Sequence, residues 1–280
     1  MPNNLQDTVT LNNGVHMPWF GLGVFKATEG NEVIDAVKAA IRAGYRSIDT
    51  AAAYGNEEGV GQAVREAMEE NGLTREQLFI TSKVWNSEQG YETTLKAFET
   101  SMNKLNLEYI DLFLVHWPVK GKYNDTWRAL EKVYKDGKVH AIGVSNFQVH
   151  HLEDLLGNAE IIPAVNQVEF HPQLSQPEVL PYCRTKGIQL EAWSPLGQGN
   201  LLKHEILNSI GRKYGKTAAQ VILRWDLQMS VVTIPKSVTE SRIIENANIF
   251  DFELTEEDMV AISSINENKR FGSDPDNFNF

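Results

Sequence analysis

The chain of 280 residues carries 26 Lys and Arg against 37 Asp and Glu, a net charge of −11, and 42% of it is hydrophobic. That balance argues against nucleic acid as a partner, since binding a phosphate backbone needs a basic footprint, and no Lys/Arg cluster with interleaved aromatics is present. No apolar run approaches the ~20 residues of a membrane span, the N-terminus MPNNLQDTVTLNNG lacks the features of a secretory signal, and Cys183 is the only cysteine; no internal disulfide can form, and a cytoplasmic location is expected.

The first element, TVTLNNGVHMP, alternates apolar and polar residues around Asn12-Asn13-Gly14, which predicts a hairpin capping one end of the fold. Short apolar runs then alternate with helical patterns. FGLGVF precedes a helix over 30–43, YRSIDT one over 57–71, LFITSKV one over 89–105 and IDLFLVHWP one over 125–136. AIGVSN, AVNQVEF, IQLEAWSP and VVTIPKS are four further strand-like runs, each followed by a helical stretch. Eight such units, undivided by a linker or a shift in composition, predict one α/β domain over residues 1–280, a (β/α)8 barrel of the TIM type.

Polar and aromatic residues follow these apolar runs: Asp49, Lys83, His116, Ser145-Asn146, Gln167 with Glu169, Trp193-Ser194 and Lys236. In a barrel these strand ends converge on one rim, where active sites of this architecture are built. Asp49, Lys83 and His116, together with Tyr54 five residues after Asp49, form a chemically coherent set. A phenol with an ordinary pKa of ~10 exchanges protons poorly at neutral pH unless a cation stabilises its ionised form. Lys83 is a candidate for that cation, Asp49 for the carboxylate that holds it, and His116 for a hydrogen-bond donor or proton relay at a substrate oxygen. No Cys/His set has zinc spacing, and the pair His150-His151 reads as surface residues, so no metal is expected.

The segments GLGVF, SIDTAAAYGNEEGVG, TSKVW, DLFLVHWP, GVSNF, NQVEFHP, WSPLGQG and IPKSVTESRIIEN, spread over nearly the whole chain, resemble the aldo-keto reductase family, in particular its bacterial 2,5-diketogluconate-reductase-like and glyoxal-reductase-like members. The resemblance implies NADPH-dependent reduction of aldehydes and ketones, with Asp49, Tyr54, Lys83 and His116 in the positions of the family's catalytic tetrad. The G-x-G-x-x-G dinucleotide fingerprint is absent, since GLGVFK has Lys26 where a third glycine would fall. The family instead lays an extended dinucleotide across the rim. Ser145, Asn146 and Gln167 suit the nicotinamide carboxamide, and Trp193 offers a face for the ring to stack on. Ser194, Pro195, Leu196, Gln198 and Gly199 match the loop that folds over the pyrophosphate, and Gly23, Val24 and Asp49 lie beside it. Ile234, Lys236, Ser237, Val238, Arg242, Glu245 and Asn246 match the segment that reaches the adenine end, and two cations there favour the 2′-phosphate of NADPH over NADH.

For substrate, Trp19, Phe25, Trp85 and Trp117, with Tyr54 and His116, are the expected lining of an apolar pocket. The connection VKGKYNDT and the tail FGSDPDNFNF are short, which suggests an open site for small dicarbonyls such as glyoxal or methylglyoxal, for aliphatic and aromatic aldehydes, or for keto-sugar acids. A detoxifying role and a monomeric state are expected. Two other readings stand beside this one: a nucleotide-sensing module of the potassium-channel β-subunit type, whose turnover is incidental, and a barrel without redox chemistry.

Overall fold

The computed structural model describes all residues, 1–280. Strands β1 (Thr8–Thr10) and β2 (His16–Pro18) pair antiparallel across a turn in which Gly14 adopts φ 88°, a left-handed conformation that costs glycine little. Asn12 Nδ2 donates to the carbonyl of Pro163 at 2.9 Å and Asn13 Nδ2 to that of His140 at 2.9 Å, so the turn is tied to the N-terminal ends of later strands. Leu11 and Met17 pack there with Phe79, Leu112, Ala164 and Val232, closing the bottom of the barrel.

Eight parallel strands form the wall: β3 (Leu22–Gly23), β4 (Ser47–Asp49), β5 (Phe79–Val84), β6 (Ile110–Val115), β7 (Val139–Ser145), β8 (Val165–Glu169), β9 (Gln189–Trp193) and β10 (Val232–Thr233). They are ordered in sequence, and the sheet closes on itself through parallel bridges Phe20↔Thr233 and Gly23↔Lys236. At that seam a side chain on Gly23 would put its Cβ 3.0 Å from the carbonyl oxygen of Ile234, so the close approach of first and last strands favours glycine.

The helices around the wall follow from periodicity. In α1 (Asn31–Arg42) the buried residues Val33, Ala36, Val37, Ala40 and Ile41 recur every three or four positions, which turns one stripe toward the sheet. Helix α2 (Glu57–Asn71) stops at Gly72, φ 63°, and helix α8 (Ala218–Gln228) starts with a reciprocal cap between Thr217 and Gln220. The others are α3 (Tyr91–Leu105), α4 (Tyr123–Lys135), α5 (Val149–Leu156), α6 (Val179–Lys186), α7 (Glu205–Tyr214), α9 (Glu240–Ala247) and α10 (Glu256–Ser263). The eightfold alternation therefore holds, with one extra helix between β9 and β10 and another after α9. Cys183 is fully buried on α6, where burial pushes its thiol up to about 11, consistent with a packing role.

Candidate active site

The chain delivers the four expected residues to one end of the barrel. Asp49 is the last residue of β4, Lys83 stands one residue before the end of β5, and His116 directly follows β6. Tyr54 is placed by a single helical turn over 52–54 that leads away from β4 and ends at Gly55, φ 67°. Lys83 Nζ donates to Asp49 Oδ1 at 2.7 Å, to the Thr50 carbonyl at 2.9 Å and to Tyr54 Oη at 3.3 Å, so its three hydrogens each have a partner. The Lys83 side chain has 0% and that of Asp49 3% of its surface exposed, and a charge so sealed from water needs such pairing.

The electrostatics refine the roles expected from sequence. Burial alone would push the Lys83 ammonium down, yet the Asp49 carboxylate and the Tyr54 phenol lift it above its ordinary value. For Tyr54 the balance runs upward: burial outweighs the downward pull of Lys83, and Asp49 adds to the rise. The expectation that Lys83 brings the phenol below its usual range is thus not met in the free protein. The phenol instead holds its proton, as a donor must. His116 is pushed well below its ordinary value by burial and then by the Lys83 charge, so its imidazole is neutral and serves as a hydrogen-bonding group, not as a source of charge. Its Nδ1 is buried without a protein partner.

Beside the tetrad, Ser145, Asn146, Gln167 and Trp193 form one network. Ser145 Oγ donates to the Gln167 carbonyl at 2.8 Å, Asn146 Nδ2 to the His116 carbonyl at 3.0 Å, and Trp193 Nε1 to Asn146 Oδ1 at 2.8 Å. Gln167 Nε2 reaches both Asp49 Oδ2, at 2.7 Å, and Glu191 Oε2, at 2.8 Å. Asn146 and Ser194, directly after β7 and β9, adopt φ of 65° and 49°, a costly conformation for residues with side chains and one concentrated at functional sites. The loop from Ser194 is kinked at Gln198 and Gly199, with φ 54° and 89°, while Pro195 is buried and Leu196 half-buried.

At the other end of the rim Lys236 and Arg242 are exposed and make no ion pair, although the chain is acidic overall. They flank the start of α9 with Ser237, whose hydroxyl bonds the backbone of Thr239, and with half-buried Val238; Glu245 is exposed and Asn246 buried on that helix. Unpaired cations at a helix start and a half-exposed indole face fit a phosphorylated dinucleotide. The backbone amides of Gly23, Val24 and Ile234 are engaged in the wall. The Gly23 and Val24 amides donate to the carbonyls of Pro235 and Asp49, and that of Ile234 to Ala192, which leaves no free N–H for a ligand.

The pocket lining differs from expectation in two respects. Trp19 stands before β3, its carbonyl accepts from the Thr233 amide, and its side chain packs on the cluster with Leu11 and Met17; it belongs to the bottom of the barrel, not to the pocket. Phe25, Trp85 and Trp117 do gather at the rim, with the Phe25 ring 5.0 Å from that of Tyr54 and Trp85 5.1 Å from His116. Second, the short tail, expected to leave an open site, reaches the aromatic lining of the pocket. The Phe280 ring stacks on Trp85 at 5.7 Å with an interplanar angle of 3°, and Phe278 lies 5.1 Å from Trp117. Buried Glu169 fixes the start of this tail by accepting the Phe271 and Gly272 amides at 2.7 and 3.1 Å, and it also pairs with His171 Nε2 at 3.0 Å. Sequence reasoning placed Glu169 on the rim but gave it no role, and missed Glu191, Phe278 and Phe280 as site residues. The alternating aromatics of FNF and the acid inside the apolar run IQLEAW were the available signals.

Comparison with known proteins agrees with this geometry. Residues 19–267 match the model of the aldo/keto reductase family. The chain is 66% identical over 280 residues to glyoxal reductase of Bacillus subtilis (strain 168) and 63% identical to the oxidoreductase YtbE of the same organism, covering 100% of both partners in each case. Its fold overlays a crystal structure of a Gox0644 variant in complex with NADPH with a TM-score of 0.92 at 40% identity, covering 98% of this chain and 99% of that one. With the closed barrel, the Asp-Tyr-Lys-His cluster on its rim and a family match over most of its length, this chain belongs to the aldo/keto reductase family of oxidoreductases.

Proposed function

We propose that the protein reduces small dicarbonyls of the glyoxal and methylglyoxal type, together with aliphatic and aromatic aldehydes, to alcohols with NADPH, and that Tyr54 is the proton donor. The observation that carries the reading is the Tyr54 hydroxyl, 3.3 Å from Lys83 Nζ and edge-on to His116 at 5.7 Å between ring centroids, in a half-buried position open to the rim. Identity of 66% to a glyoxal reductase supports the substrate class, and a related barrel in complex with NADPH supports the cofactor.

Bound at this rim, NADPH supplies a hydride to the carbonyl carbon. Tyr54 releases its proton to the developing alkoxide, and the adjacent Lys83 charge stabilises the phenolate left behind. Asp49 keeps Lys83 charged and directed. Neutral His116 orients the carbonyl oxygen toward Tyr54. Trp193 would carry the nicotinamide face, Ser145, Asn146 and Gln167 its carboxamide, and Lys236 and Arg242 the 2′-phosphate. Trp85, Trp117, Phe278 and Phe280 supply an apolar wall with little charge, which suits small uncharged carbonyls better than keto-sugar acids. We also propose a cytoplasmic monomer built of one domain.

The test is to mix the pure protein with NADPH and a panel of glyoxal, methylglyoxal, benzaldehyde and a keto-sugar acid and follow cofactor absorbance. Oxidation fastest with the dicarbonyls is expected. Binding without oxidation of NADPH would contradict the reading.

A further inference from the structure

Glu191 lies in the middle of β9, with 0% of its surface exposed, on the inward side of the barrel. Its neighbours along the strand, Leu190 and Ala192, are apolar, and the adjoining strand β10 contributes Val232 and Thr233, which carry no charge. From β8 it meets only the neutral amide of Gln167. The charged groups that face it are Asp49 on β4 and Lys83 on β5, with the Tyr54 phenol beyond them. Two carboxyl groups therefore lie close to one buried cation. Lys83 bonds to Asp49 directly, whereas Glu191 is joined to Asp49 only through Gln167, whose amide nitrogen donates to both acids. The second oxygen of Glu191, Oε1, is buried with no hydrogen-bond partner. An ionised carboxylate with one oxygen left bare in a dry interior is costly; a carboxylic acid in that place costs far less.

We infer that Glu191 is a positioning residue for the Tyr54–Lys83 pair, kept as a neutral acid at working pH so that Asp49 remains the only anion paired with Lys83. The inference rests on Tyr54 being the proton donor. A second negative charge in this cluster would hold the phenol proton more tightly and draw the Lys83 charge away from it. Burial and the Asp49 charge push Glu191 up to about 8, and its ionised form in turn raises Tyr54. As pH rises through that region the acid gives its proton to solvent and Tyr54 becomes a weaker donor. Reduction should therefore slow on the alkaline side before any tyrosine titrates. One unit charge at such range corresponds to about one pKa unit on Tyr54, or roughly three- to tenfold in a rate limited by proton donation.

The experiment compares wild type with Glu191→Gln, an isostere of the neutral acid, using glyoxal and NADPH deuterated at the transferred position so that the chemical step is visible. In wild type the rate at pH 9.5 relative to pH 6.5 should fall by roughly three- to tenfold. In Glu191→Gln that decline should disappear. Equal pH profiles in the two proteins would overturn the inference. Infrared difference spectra of wild type minus Glu191→Gln provide a readout independent of turnover. A carboxylic-acid carbonyl band present at pH 6.5 and lost by pH 9.5 is expected, and a carboxylate band at both values would overturn the proposal. Tyr54→Phe separates the two readings, because continued turnover there sinks the proton-donor role while the Glu191 band still reports its proton.

Discussion

Lys83 Nζ stands 2.7 Å from Asp49 Oδ1 with both side chains sealed from water, and this ion pair sets the charge around Tyr54. Breaking it from one side strands a charge in the barrel interior. Asp49→Asn should therefore lose about 3–5 kcal/mol of stability by denaturant unfolding as well as most activity. The double variant Asp49→Asn with Lys83→Met should recover part of that stability and none of the activity, and equal stability of the single and double variants would count against the pairing.

The depressed pKa of His116 makes a prediction about acid. A histidine held neutral in the fold takes up its proton on unfolding, so its contribution to stability is fully present above its ordinary value near ~6.5 and is lost as pH falls below it. His116→Gln should flatten the loss of melting temperature between pH 6.5 and pH 5, and an unchanged slope would show that another group carries it.

Phe278 and Phe280 should matter to substrates that reach them. Replacing both with Ala removes the stacking partners of Trp85 and Trp117, with aromatic contacts worth about 0.5–1.5 kcal/mol each. KM for benzaldehyde should rise roughly tenfold while that for glyoxal stays nearly constant, and tryptophan emission should shift red as the indoles meet water. Parallel rises for both substrates would assign the tail to general stability.

Lys236, before α9, and Arg242, in its first turn, stand unpaired, and charge-assisted hydrogen bonds of this kind contribute about 1.5–3 kcal/mol. Replacing both with Ala should weaken NADPH by about a hundredfold or more and NADH far less, measured by fluorescence titration. Equal losses for the two cofactors would remove the 2′-phosphate assignment.

The fold was legible because each strand is an apolar run bounded by turn residues, and because the hairpin signal at Asn12-Asn13-Gly14 is strong. Asp49, Lys83 and His116 were legible because they sit within a residue of strand ends, and Tyr54 because it follows Asp49 by five residues on a short, small-residue turn. What sequence could not supply was depth and reach. Trp19 looked like its fellow aromatics until the strand began after it. Phe278 and Phe280 act on residues more than a hundred positions away, and only a folded tail joins them. The sign for Tyr54 also depended on structure, since burial opposes the lysine and prevails. Of the three alanines before Tyr54, only Ala51 is buried and Ala53 is exposed, so crowding by larger residues is expected at the first position and not at the third.

The chemistry turns on the Tyr54 hydroxyl, and Tyr54→Phe removes that group alone. Single-turnover reduction of glyoxal by the variant, with NADPH affinity measured in parallel, is the most direct test. NADPH should bind with nearly unchanged affinity while carbonyl reduction falls by about two to four orders of magnitude. Reduction at close to the wild-type rate would contradict the assignment of Tyr54 as proton donor.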